Sequence, residues 1–293
     1  MAISLEPGSL EAQQDAALHH GQGRDAAARG ILRSLFGANR LLAPLGNARL
    51  WTTLGWLDIV QTYRRTSLGP WWITTNLLIF VIAMTYVYGA LFGIPTTEYS
   101  AYLLGGMIAW YWISALLAEV GNTFLNYAYF VRSTSIAKSQ LVWATVYKVF
   151  LTFAHHLAIV VLYIVIGFIP LNLNTLAIIP AIALLFLFSI PVTAVAGVLF
   201  ARYRDLQRFV GSANIIVMMM TPVFWKADQM KGWRTAFVDY NPFHYLVELI
   251  RRPLLGQPLD TETIVVAVSL TVMVWIGGTY FFRRYERYIV FWM

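Results

Sequence analysis

Five stretches of this 293-residue chain carry no Asp, Glu, Lys or Arg: 66–97, 99–118, 149–201, 209–225 and 263–282. These runs constrain the fold more than any motif, because a helix rising 1.5 Å per residue crosses hydrocarbon with about 20 apolar residues. The third run has room for two crossings, with Pro170 to Asn174 as the break between them. The fourth has only 17 residues, which is short for a crossing. The sequence therefore predicts an all-α membrane protein with six spans, at 71–92, 101–120, 142–168, 175–200, 210–225 and 263–282. Composition agrees: 59% of residues are hydrophobic and 12% charged, against about 25% charged in soluble domains.

The basic residues orient the spans. Sixteen of the 21 Lys and Arg precede the first span, lie in the second and fourth connections, or follow the last span. That is the positive-inside pattern with both termini cytoplasmic. It accounts for the net charge of +7 without a nucleic-acid partner. The other five (Lys226, Lys231, Arg234, Arg251, Arg252) fall in the fifth connection, on the opposite side.

Residues 1–50 form a cytoplasmic tail, expected to be disordered over 1–30, with neither an apolar core nor a cleavage site of a signal peptide. Gly21 to Ala26 fits a dinucleotide fingerprint in letters only, since no strand precedes it. Over 51–69 the sequence predicts an amphipathic interfacial helix: Trp56, Ile59, Val60 and Tyr63 recur at helical spacing, with Asp58, Arg64 and Arg65 on other faces. It is either an anchor or a moving element coupled to the first span. The six-span domain covers 70–293. Within it, 226–262 is too apolar for a free loop and too rich in proline for a crossing, which suggests re-entrant helices. Its basic residues read as a lid or an anion-attracting collar, or as headgroup contacts.

The residues of known chemistries are missing. There is no cysteine, no Gly-Lys dipeptide for a phosphate loop, no nucleophile elbow and no zinc-protease motif. No span has an acid at its centre, and Glu119, near a span end, reads as a cap or a snorkelling residue. His155 and His156 stand alone in the third span and read as packing residues rather than a metal site or a proton relay. Nothing is catalytic, and no cofactor or metal is expected on this chain. What remains is a polar and aromatic lining. Trp72, Asn76, Ile79, Ala83 and Tyr86 share one face of the first span, and Asn214, Met218, Thr221 and Trp225 one face of the fifth. Such faces suit sugar rings and hydroxyls, or helix packing within the bundle.

Several stretches then resemble one family. Asp58-Ile59 with Tyr63 to Pro70 and Trp72, Tyr102 to Met107 with Trp110, and Phe153 to His156 are similar to segments of the membrane-spanning subunit of type-2 ABC exporters. The most specific patches are Arg202 to Leu206 continuing to Thr221 to Trp225, and Asn241 to Tyr245 with Glu248 and Arg251 to Gly256. The branch resembled exports lipid-linked polysaccharide such as O-antigen or capsule. The resemblance implies a bacterial inner-membrane homodimer, surrounded by membrane lipid, with two separate ATP-binding subunits that carry ATP and Mg. It implies a channel between the two subunits, for which the helical faces above offer Trp72, Asn76, Tyr86, Asn214, Thr221 and Trp225 as the substrate path. It implies an outer gate of Asn241, Pro242, His244, Tyr245, Arg251 and Arg252, and ATPase coupling through Phe130, Arg132 and Lys138. Ala137 stands near the place where the family usually has a proline. Two other readings stay open, an exporter of a small lipid or drug and a membrane-embedded glycosyl- or acyltransferase.

Overall fold

The computed structural model describes residues 40–133 and 136–293, and among them every regular element is helical. The expected disordered tail over 1–30 lies outside the described residues. In chain order the helices are α1 (Ala48–Tyr63), α2 (Trp71–Phe92), α3 (Thr96–Val120), α4 (Ala128–Ser133), α5 (Lys138–Val165), α6 (Ile178–Arg202), α7 (Asp205–Met220), α8 (Ala236–Asp239), α9 (Pro242–Leu254), α10 (Thr261–Tyr285) and α11 (Ile289–Trp292).

Five helical stretches are long and apolar enough to cross a membrane: Trp71–Phe92, Thr96–Val120, Lys138–Val165, Leu173–Arg202 and Thr261–Trp292. The fifth expected span, 210–225, is not among them. Its helix, α7, has 16 residues and stops at Met220. The cause is local. Pro222 has no N–H to continue the ladder, and it drives the preceding Thr221 out of helical backbone, to φ −89° and ψ 138°. The chain then continues through a non-helical segment to Lys226.

Helix α3 is the centre of the bundle. Most of its residues from Tyr99 to Val120 are buried, and it packs against α2, α5, α6, α7 and α9. The Trp112 indole donates to Ser189 Oγ of α6 at 2.9 Å. Helix α2 buries one stripe (Thr74, Leu77, Val81, Thr85, Gly89), at the three- and four-residue steps of one helix face. Helix α10 packs on α6 by the same logic through Ala267, Thr271 and Gly278. A Cβ on Gly278 would come within 2.7 Å of the Pro191 side chain, so only glycine permits this approach.

Helix α1 packs through Trp51, Gly55 and Ile59, four residues apart, leaving Trp56, Leu57 and Val60 exposed. The expected stripe of Trp56, Ile59, Val60 and Tyr63 divides: Ile59 is buried and Tyr63 half-buried, whereas Trp56 and Val60 are exposed. Trp51 packs against Trp143 and Tyr147 of α5, with ring centroids 5.2 and 5.4 Å away. A Cβ on Gly55 would meet the Ala144 carbonyl at 2.7 Å. The helix expected over 51–69 thus starts slightly earlier and ends at Tyr63. Arg64 and Arg65 follow it, the latter in left-handed backbone at φ 67°.

Candidate functional site

Helix α7 and the segment after it lie antiparallel to α3. At one end Gln207 Nε2 donates to the Ala118 carbonyl at 3.4 Å, and further along Asn214 Nδ2 donates to Ser114 Oγ at 3.0 Å. At the other end the hydroxyl of Tyr99 donates to the Phe224 carbonyl at 2.7 Å, and that of Tyr102 to the Trp225 carbonyl at 2.8 Å. Broken backbone inside a bundle must have its polar groups satisfied by protein, and these tyrosines do part of that work.

Arg251 does the rest. Its side chain is 1% exposed, donates to the Pro222 carbonyl at 2.6 Å and to Glu248 at 2.7 Å, and stacks 4.1 Å from the centroid of the Tyr102 ring. Room for it comes from Gly105 and Gly106, where any Cβ would meet the guanidinium or its stem. The sequence expectation of an anion-attracting collar needs correcting here. Arg251 pairs with Glu248, Arg252 with Glu248 and Asp260 (3.3 and 3.4 Å), and Lys226 with Glu98 at 2.8 Å. These three cations bind carboxylates of the same chain, which offsets their attraction for an external anion.

The other expected gate residues cluster at the start of α9. Asn241 caps the helix by accepting from the Phe243 N–H at 3.0 Å, and Pro242 takes the first helical position, where its missing N–H costs nothing. The Asn241 amide also donates to Thr221 Oγ1 at 2.9 Å, joining α9 to the end of α7. The Tyr245 hydroxyl sits 2.9 Å from both the Asp239 carbonyl and the Glu262 carboxylate. His244 lines a cavity of about 450 Å³ with Glu98, Tyr102, Lys226, Arg252 and Gln257. Burial holds its imidazole below the usual histidine range, with Arg251 and Arg252 adding to the effect and Glu248 opposing it. Phe243 meets Trp110 at 5.9 Å, halfway along α3, while Arg251 lies by Gly105 and Gly106, so α9 runs antiparallel to α3.

The six expected path residues divide. Trp72, Asn76 and Tyr86 lie on the exposed face of α2, with Tyr86 71% exposed. Asn214 instead turns toward α3. Thr221 is fully buried and donates to the Val217 carbonyl at 2.8 Å. Trp225 is partly exposed, its indole N–H donating to the Met219 carbonyl at 3.1 Å. Helix α7 has no buried residue at all, and presents Phe209, Ile215, Ile216, Met219 and Met220 outward.

The connection between the second and third long helices holds α4. Arg132 donates to the Met293 carbonyl oxygen, and Lys138 opens α5. The side chain of Phe130 lies outside what the structure describes. Sequence reasoning missed the segment leading into α4. Phe124 packs on Gly197 of α6, where a Cβ would stand 2.9 Å from its ring. Tyr127 donates to the Leu54 carbonyl of α1 at 3.4 Å, and burial with the Asp58 carboxylate raises its phenol above the usual tyrosine range. Gly121 abuts Gln207 of α7. One short connection therefore touches α1, α6 and α7. Only the aromatic residues flanking an Asn/Thr/Gly turn signalled it in the sequence.

Residues 49–255, more than half of the chain, match the family described as ABC-2 type transporter. Two proteins of Klebsiella pneumoniae named "O-antigen export system permease protein RfbA" are similar to this chain, at 21% and 20% identity over 228 residues. In each case the match covers 78% of this chain and 88% of the relative.

Proposed function

The chain belongs to the ABC-2 type transporter family, and on that premise we propose that it is the transmembrane subunit of an ATP-driven exporter of lipid-linked polysaccharide. With its five long apolar helices it is a multi-pass membrane protein. In the proposed assembly two copies form the channel, two separate ATP-binding subunits bind from the cytoplasm, and the chain itself holds no ATPase site. Both termini face the cytoplasm of a bacterial inner membrane, following the distribution of Lys and Arg. Residues 205–226 make the fifth of six crossings as helix plus broken segment, and 226–262 folds back into the outer leaflet.

One observation carries the cargo reading. Asn76 lies exposed on a spanning helix, between Trp72 and Tyr86 on the same face. An amide is costly against lipid, so this face belongs to a protein contact or a wet path. Aromatic rings flanking an amide suit the apolar faces and hydroxyls of sugars, and the names of the two relatives point the same way. Closure of the ATP-binding subunits would press on α4. The adjoining connection would pass the motion to α1 through Tyr127, to α6 through Phe124 and to α7 through Gln207.

The test is ATP-dependent polymer export in vesicles containing the reconstituted complex. Trp72→Ala and Asn76→Leu should cut export several-fold with normal insertion and partner binding. Unchanged export from correctly assembled variants removes the α2 face from the path. A complex whose ATPase responds to a small lipid or drug and not to the polymer would replace the cargo assignment.

A further inference from the structure

The proposed export path leaves His155 and His156 without a role, and His156 borders a second cavity. It measures about 310 Å³ and lies among the end of α1, the first turns of α2, and facing stretches of α3 and α5. That size falls within the range of small-ligand pockets, about 300–1,000 Å³. His156 is 1% exposed and lines the cavity, yet neither ring nitrogen has a hydrogen-bond partner. A buried neutral imidazole offers one donor and one acceptor and is costly to leave unmatched. His155, by contrast, is bonded to the Leu151 carbonyl at 2.7 Å and packed against Trp71.

The cavity is graded in polarity. At one end, in the last turn of α3, Glu119 binds Lys148 at 2.9 Å, with Thr62 and Tyr63 beside them. This pairing replaces the capping or snorkelling expected of Glu119. Further in come Thr152 and Tyr111, then His156, eight residues or about 12 Å along α5 from Lys148. Apart from Ser114, whose hydroxyl is bonded to Asn214, the remaining walls are apolar, chiefly Ile73, Trp112, Val149 and Phe153. Charge at the helix end, hydroxyls and imidazole below, and hydrocarbon around them match the order of headgroup, ester and chain in a phospholipid.

We propose that this cavity binds a zwitterionic phospholipid bearing a primary ammonium, by opening the Glu119–Lys148 pair around its headgroup. The ammonium takes the Glu119 carboxylate, the phosphate takes Lys148, and an ester carbonyl accepts from His156. The charge count selects the class. A pocket with one carboxylate and one ammonium is neutral, so an anionic headgroup would leave Glu119 unmatched. A quaternary choline cannot donate the hydrogen bond that the carboxylate accepts.

Native mass spectrometry of the full chain in detergent, given equimolar phosphatidylethanolamine, phosphatidylcholine and phosphatidylglycerol, tests this. Phosphatidylethanolamine should exceed each of the others in retained adduct by about ten-fold, the worth of one charge-assisted hydrogen bond. Glu119→Leu, which removes both the charge and the acceptor, should erase its advantage over phosphatidylcholine, and Lys148→Met should weaken both. Soluble phosphoethanolamine at the same concentration should not displace the lipid; displacement would overturn the lipid as the source. Equal adducts of the three lipids on the unaltered chain would refute the site without any variant. A preference that persists in Glu119→Leu would refute the assigned contact.

Discussion

Helices α3 and α7 lie side by side and antiparallel, yet they are built on opposite principles. The first has 25 residues, runs unbroken and is buried on nearly every side. The second has 16, buries no residue, and ends where proline breaks it. The hydrogen bonds that join them lie at a few points, Gln207, Asn214 and the carbonyls after Thr221, beside a stripe of α7 that is only half-buried. A helix held by packing over its whole length is a fixed post, whereas one held at a few hydrogen-bonded points can be moved by small forces applied at those points. In the proposed cycle α3 stays put and α7 shifts.

The contrast can be broken most severely at Arg251. Arg251→Met leaves Glu248 with only Arg252 and leaves the Pro222 carbonyl only the long 3.3 Å bond from the Tyr102 hydroxyl, a loss of about 3–5 kcal/mol. Thermal unfolding in detergent should show it, and a small change there would mean that the break in α7 needs no support. A middle-sized effect is expected at Asn214. Asn214→Ala should cost about 0.5–1.5 kcal/mol, and a double-mutant cycle with Ser114→Ala should recover most of that as coupling. Additive losses would show the two side chains acting independently. The smallest effect belongs to the outer face of α7. Ile216→Ala should change the stability of the isolated chain by less than about 0.5 kcal/mol. A greater loss would mean that the face is already covered.

The charge-free runs made most of the fold legible, because spanning helices need length and apolarity and little else. They failed at the fourth run. There the decisive fact was the Thr221-Pro222 pair, which stops the helix within a stretch whose composition suggests it continues. The pairs within α9 were also open to reading, since Glu248, Arg251 and Arg252 stand at three- and four-residue spacing. Treating the arginines as a collar overlooked their nearest acid. Contacts between distant parts of the chain had no sequence signal. Lys148 and Glu119 are 29 residues apart and Arg251 and Pro222 the same distance, and nothing local to either says that they meet. The exposed face of α2 was readable because helical spacing alone collects Trp72, Asn76 and Tyr86. The face proposed for the fifth span was not, because Asn214 and Thr221 turned inward to bonds that sequence does not reveal.

Arg251 also sets an order of assembly. The Pro222 carbonyl is made before the guanidinium that satisfies it, and so is the Thr221 hydroxyl that Asn241 will reach. Until α9 has been synthesised and has packed across Gly105 and Gly106, the broken end of α7 has no donor from downstream. Hydrocarbon would punish unpaired backbone; Tyr99 and Tyr102, made earlier, can serve the Phe224, Trp225 and Pro222 carbonyls, but the short bond to Pro222 comes only with α9. A chain truncated before Arg251 should therefore loosen the end of α7 as well as lose α9.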